Sequence, residues 1–207
     1  MFADVVGSTQ LIASLSAEKA MERLRPAIGA MCAAVRRYEG TVVRTLGDGI
    51  LALFGAPRAQ EGHALLACEA ALAMQAEFAR RQDGLAIRIG LHAGEVVAST
   101  LPGDSIEEQG AYGFAIHVAS RLQALAEPGA ICLTEECHRL IQDHYAVRSL
   151  GRQLVKGFSA PLEVYDLEGR LPATPSSAAA PVTFRGRDVE MAALLRALAD
   201  ALVATLS

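Results

Sequence analysis

The apolar run Thr41-Val42-Val43-Arg44-Thr45 is separated from a second one, Ile50-Leu51-Ala52-Leu53-Phe54, by only Leu46-Gly47-Asp48-Gly49. So short a gap leaves no room for a helix. An Asp-Gly pair between β-rich runs is a strong hairpin signal, because both residues tolerate the positive φ that a tight turn demands. The chain therefore contains antiparallel sheet, and this hairpin carries a carboxylate, Asp48, at its tip. A second carboxylate has the same setting. Asp4 lies in Phe2-Ala3-Asp4-Val5-Val6-Gly7-Ser8-Thr9, where an apolar strand gives way to glycine. Each arrangement presents an aspartate at the end of a sheet without burying its charge. Brought together by the fold, the two would form a hard, oxygen-only site, which suits Mg²⁺ or Mn²⁺ carrying phosphates and not zinc.

The rest of the chain alternates helices with strands. Met21, Leu24, Ile28, Met31, Cys32 and Val35 recur at helical spacing, with Pro26 predicting a kink or a restart and Glu39-Gly40 a stop. A second helix is expected over about 60–81, with Leu65, Cys68, Leu72, Ala76 and Ala79 on its buried face. Residues 85–97 are strand-like, broken by Gly90 and Gly94, and 99–112 are polar and turn-rich. A third helix, about 114–126, places residues 117 and 121 one turn apart on one face and turns Val118, Leu122 and Leu125 to the core. Ile131-Cys132-Leu133 reads as a strand, 135–142 as a short helix, and 146–167 as two antiparallel strands around Lys156-Gly157. Helices packed on a mixed, mostly antiparallel sheet make an α+β sandwich, not a doubly wound parallel sheet.

The first domain is expected to span 1–168, followed by a Pro-, Ala- and Ser-rich linker over 169–183. Residues 184–207 hold an amphipathic helix with Met191, Leu194, Leu195 and Leu198, too short for a core of its own and so the expected start of another domain. At the other end, Met1-Phe2-Ala3 runs straight into a strand motif, so the natural protein is expected to extend further. A net charge of −4 without a basic stripe argues against nucleic acid as a partner. No run approaches the roughly 18 apolar residues of a membrane span, so no membrane insertion is expected. Cys132, Cys137 and His138 do not have zinc spacing, and the four cysteines imply no disulfide framework, in keeping with a cytoplasmic location.

Taken together, five segments resemble the catalytic domain of the bacterial class III adenylate and guanylate cyclases. They are Phe2 to Thr9, Gly40 to Phe54, Ile87 to Val97, Tyr112 to Gln123 with Pro128-Gly129 after it, and Leu154 to Tyr165. The resemblance implies a ferredoxin-like α/β core that dimerises head to tail, with ATP or GTP bound in the groove between protomers. It implies conversion of the nucleotide to the 3′,5′-cyclic monophosphate and pyrophosphate, with two Mg²⁺ or Mn²⁺ ions per site. Carried over residue by residue, Asp4, Asp48 and the Val5 carbonyl hold the metals, and the backbone around Gly7, Ser8 and Thr9 cradles phosphate. Arg121 stabilises charge on the α-phosphate, and Lys156 contacts the triphosphate. The tail from Phe184 resembles the opening of an ATPase-type regulatory module, without its phosphate-binding loop.

Three positions depart from that pattern. The asparagine that orients the ribose is replaced by His117. At the two base-reading positions the lysine of adenylate cyclases is Arg44, and the aspartate falls on Gly110, which has no side chain to accept a hydrogen bond; Glu107 or Glu108 could serve if the loop is shifted. Two readings follow. One is a purine nucleotide cyclase, with ATP favoured because Arg44 keeps a donor. The alternative is a catalytically weak or inactive cyclase-homology domain, acting as a dimerising, nucleotide-binding module. A diguanylate cyclase would need a Gly-Gly-Asp/Glu hairpin, which Gly47-Asp48-Gly49 only half resembles.

Overall fold

The computed structural model describes residues 1–99, 110–155, 157–158 and 160–172. Lys156, Glu107 and Glu108, most of the expected linker and the whole tail helix lie outside them.

A seven-stranded sheet organises the domain, in the order β2-β3-β1-β4-β7-β9-β8. Strand β1 (Phe2–Val5) leads through the short helix α1 (Ser8–Ser14) to the long helix α2 (Ala17–Arg37). The hairpin follows as β2 (Thr41–Thr45) and β3 (Gly49–Leu53), then α3 (His63–Arg80) and β4 (Ile87–Leu91). Each adjacent pair among these four strands is antiparallel, with β3 inserted between β1 and β2 and β1 between β3 and β4. That is the ferredoxin-like β-α-β-β-α-β arrangement. A separate two-stranded ribbon, β5 (Val97–Ser99) with β6 (Gly110–Tyr112), precedes α4 (Phe114–Leu125). Then β7 (Ile131–Thr134) adds parallel to β4, followed by α5 (Glu135–Ile141), β8 (Tyr145–Gln153) and β9 (Leu162–Arg170). All other pairings are antiparallel.

Strand alternation separates two cores. Ala3, Val5, Ile50, Ala52, Ile87 and Ile89 face α2 and α3, which supply Leu24, Met31, Met74 and Phe78. On the opposite face Leu51, Leu53 and Val43 meet Phe2 and Ile116, while Val118 and Leu122 of α4 pack on Cys132 and Val164. Fully burying each Leu, Ile or Met side chain contributes about 1.5–3 kcal/mol. Since Asp4 lies between Ala3 and Val5 in the strand, it points to the α4 face.

Several expectations need correcting. Helix α2 is continuous through Pro26, so of the expected kink or restart the restart does not occur. Both Pro26 and Glu22 are exposed, and Leu24 and Ala27 anchor the flanks. On α3 the buried residues are Ala64, Ala67, Cys68, Ala70, Ala71, Met74 and Phe78, whereas Ala76 and Ala79 are exposed. Leu125 is also exposed, because α4 ends there and its buried seam runs on through Leu122 to Ala126. Gly90 does not break its strand but lies within β4, and β9 continues to Arg170, two residues past the expected boundary at 168. All four cysteines are free and buried.

Candidate active site

The β2–β3 turn and the end of β1 meet at one point. Gly47 takes φ 79° in the turn, Leu46 N–H donates to the Gly49 carbonyl at 2.8 Å, and the chain re-enters the sheet with Gly49 opposite Asp4. The Val5 N–H donates to the Asp48 carbonyl at 3.1 Å, pinning the turn to β1. A side chain at Gly49 would not fit. Its Cβ would stand 2.5 Å from the Ala3 carbonyl and 2.9 Å from Asp4 Oδ1. The two carboxylates are thereby brought near enough for the charge of Asp48 to act on Asp4.

Around them, Gly7 adopts the left-handed conformation (φ 72°) that starts α1. This turns the buried Ser8 inward, where its hydroxyl donates to Asp48 Oδ2. From α4, the Gln123 amide donates to Asp4 Oδ2 at 3.5 Å. On the other side of β1, Arg88 of β4 is directly opposite Asp4. Asp4 Oδ1 is buried and has no hydrogen-bond partner among the described residues.

Asp4 is thus not the freely solvated carboxylate that its sequence setting predicts. Burial, then the charge of Asp48 and the hydrogen bond to it, push the Asp4 acid up from 3.8 to about 6, while Val5 and Arg88 pull it down. Because the folded value lies above the unfolded one, the protonated form stabilises the fold at acid pH, and that contribution is lost as pH rises from 3.8 through about 6. Binding of a divalent cation runs the other way, since it needs the carboxylate ionised. The rise in melting temperature caused by Mn²⁺ is expected to be full above about pH 6 and to shrink steadily below it. A Mn²⁺ effect independent of pH over that window would contradict the assignment.

An open, buried carboxylate oxygen beside a second carboxylate fits a hard divalent ion. Among the described residues no group of three or more His, Cys, Asp or Glu side chains could hold a metal. Asp4 and Asp48 would therefore need backbone carbonyl and phosphate oxygens to complete a shell, as Mg²⁺ sites commonly do.

The remaining expected site residues are not gathered here. His117 and Arg121 share an exposed face of α4, and no described hydrogen bond or ion pair joins them to Asp4 or Asp48. Arg44 is exposed on β2 beside a register shift between Val42 and Arg44. Gly110 opens β6 opposite Ser99. On β5, β6 and the first turn of α4, Val97, Tyr112 and Phe114 are 66%, 63% and 65% exposed.

The family profile described as "Adenylate and Guanylate cyclase catalytic domain" matches residues 1–169. The chain belongs to this family. The cyclase domain is 28% identical over 179 residues to "Adenylate cyclase 1" of Rhizobium meliloti, covering 82% of this chain and 27% of that relative. It thus spans about a quarter of that relative's length. Among solved structures, the guanylate cyclase domain of RhGC from Catenaria anguillulae in complex with GTP superposes with a TM-score of 0.76 at 26% identity. That match covers 82% of this chain and 94% of the other. The adenylyl cyclase CyaB from P. aeruginosa gives a TM-score of 0.73 at 28% identity, covering 80% and 90%.

Two residues at the aspartate pair, Arg88 and Gln123, were not singled out from sequence. Arg88 stands between Ile87 and Ile89 and reads as the outward residue of an alternating strand, and Gln123 reads as a polar helix position. Only the pairing register and the close seating of α4 on β4 bring them to the aspartates. Ser8 was expected there for its backbone; its hydroxyl contact with Asp48 was not.

Proposed function

We propose that this domain is a purine nucleotide cyclase, most simply an adenylate cyclase, working as a homodimer. The observation that carries the reading is the Asp4–Asp48 pair with its open, buried oxygen, on a domain of the cyclase family. In the reaction the ribose 3′-oxygen forms a bond to the α-phosphorus, the bond from that phosphorus to the β-phosphate bridging oxygen breaks, and pyrophosphate leaves. The hydroxyl proton passes to solvent.

Asp4, Asp48 and the Val5 carbonyl would hold the Mg²⁺ or Mn²⁺ ions, two per site by family resemblance. Such ions, when bound, supply Lewis acidity to the attacking hydroxyl and neutralise the phosphates. First-turn N–H groups at Ser8 and Thr9 have no partners within α1 and are free to meet phosphate oxygens, with Gly7 allowing close approach. Arg121 offers a fixed positive charge to the α-phosphate as charge builds there, and His117 can orient the ribose. Lys156 is assigned to the triphosphate by resemblance alone. Arg44 reads the base as a donor. At the other base-reading position Gly110 offers no side-chain acceptor, so the preference for ATP over GTP rests on Arg44.

The exposure of His117 and Arg121 on α4, with no bond to the aspartates, and of Val97, Tyr112 and Phe114 supports a dimer in which a second copy brings them to its partner's aspartates. The test is direct. Purified dimer, incubated with ATP or GTP and Mn²⁺ or Mg²⁺, is expected to release cyclic nucleotide and pyrophosphate in equal amounts. No product from a confirmed dimer with either nucleotide would favour the second reading, a nucleotide-binding regulatory module, to which the departures at His117 and Gly110 point.

A further inference from the structure

Two buried polar atoms belong to residues paired across β1 and β4 at the aspartate site, and neither has a hydrogen-bond partner among the described residues. One is Asp4 Oδ1, an acceptor; the other is Arg88 Nε, a donor. Leaving either open is unfavourable, and buried groups of this kind are normally satisfied. Their residues are directly opposed in the β1–β4 register. Opposed side chains in an antiparallel pair have Cβ atoms about 4.5–5.5 Å apart. The charge of Arg88 reaches Asp4 and favours its ionised form. Even so, the pair is not closed, since both atoms keep their open valence.

We propose that Arg88 is a positioning residue for the metal end of the site: its fixed positive charge holds the Asp4 and Asp48 carboxylates together before a divalent cation arrives, and loosens the grip on that cation once bound. The proposal rests on reading Asp4 and Asp48 as metal ligands. Two carboxylates this near repel, and without a counter-charge they would part. With Arg88 opposite Asp4, the three groups together carry one negative charge and not two. Attraction for a cation is correspondingly weaker, so the ion exchanges more readily. Arginine suits this position because it stays protonated, is weakly hydrated and tolerates burial. Gln123 complements it by holding Asp4 Oδ2 from α4, which leaves Oδ1 as the oxygen free for the ion.

The test uses the full chain and Mn²⁺ alone, without nucleotide, in mildly alkaline buffer, with binding read from the loss of the free-ion electron paramagnetic resonance signal. Arg88→Gln is expected to bind Mn²⁺ about three- to tenfold more tightly than wild type, as removal of one nearby charge in a partly solvated site implies. Arg88→Lys keeps the charge and is expected to stay within about twofold. Loss of the pre-positioning alone would weaken binding, but the removed positive charge acts on a divalent ion and outweighs it, so the net change is tightening. Unchanged or weaker binding by Arg88→Gln would overturn the proposal.

If Arg88→Gln is unfolded without metal and Mn²⁺ restores it, the cation has replaced the lost charge and the proposal stands. If it stays unfolded at saturating Mn²⁺, Arg88 is a structural group and the proposal fails. Asp48→Asn separates this inference from the reading beneath it. Absence of Mn²⁺ binding in wild type would remove the metal site and the proposal together. Binding that is lost in Asp48→Asn but not tightened in Arg88→Gln would remove the proposal alone.

Discussion

Asp48→Ala is expected to slow cyclic nucleotide formation by about 10³-fold or more at saturating nucleotide and Mn²⁺, the scale of losing a principal electrostatic stabiliser of phosphoryl chemistry. The reason lies in how few ligands the chain supplies. With Asp48 gone, Asp4 alone remains as a carboxylate donor, and no third acidic or imidazole group among the described residues can substitute. The fold should survive. Ser8 loses the acceptor for its buried hydroxyl, at a cost of about 1–3 kcal/mol, but the repulsion that Asp48 exerts on Asp4 is relieved at the same time. The melting temperature without metal is therefore expected to change little, while the rise caused by Mn²⁺ disappears. An Asp48→Ala protein that keeps more than about a tenth of the wild-type rate would contradict the assignment, as would one that loses its activity only because it has unfolded.

The second large effect is expected at Gly90, far in sequence from either aspartate. A Cβ there would stand 2.2 Å from the Ala119 carbonyl oxygen and 2.4 Å from the Gln123 nitrogen, both in the backbone of α4. No side-chain rotation can relieve a clash with backbone, so the helix itself must move. Gly90→Ala is expected to destabilise by about 3 kcal/mol, the upper range for an overpacked core. That corresponds to a fall of roughly 6–12 °C in melting temperature for a domain of this size. Molecules that remain folded are expected to be about a hundredfold slower, because α4 carries His117, Arg121 and Gln123 and a shift of about 1 Å is enough for that. Gly29→Ala on the exposed side of α2, where a Cβ meets nothing within 4 Å, provides the control. It should stabilise by about 0.5–1 kcal/mol through helix propensity. Thermal denaturation of the two variants measures the contrast, and equal melting temperatures would show that α4 does not depend on Gly90 for its seat.

These expectations show which parts of the molecule were legible in its sequence. The β2–β3 hairpin was, because Gly47-Asp48-Gly49 permits little else between two apolar runs. The ferredoxin-like order was legible only through resemblance, since no local pattern states which strand inserts between which. The buried face of α3 was misplaced because Ala occupies so many of its positions that periodicity could not choose a face; Met74 and Phe78 decide it in the fold. At the site, Asp4 and Asp48 were identified but the environment of Asp4 was not. Its burial depends on Arg88, Gly49 and Gln123, from three different elements, and a partner fixed by register leaves no signature in a single sequence. Pro26 shows the same limit in reverse. A strong local stop signal did not end the helix, which is exposed at Pro26 and Glu22 and anchored by buried Leu24 and Ala27.

The measurement that bears most directly on the central claim is complementation between two inactive variants. Asp48→Ala protein lacks the metal end of the site and Arg121→Ala protein lacks the charge on α4. If each groove takes its aspartates from one chain and its arginine from the other, a mixed dimer contains one intact groove and one doubly damaged groove. With random exchange of subunits, about half the dimers are mixed, so the equimolar mixture should recover about a quarter of the wild-type rate. A mixture that forms heterodimers yet stays as inactive as either variant alone would contradict a site shared between two chains.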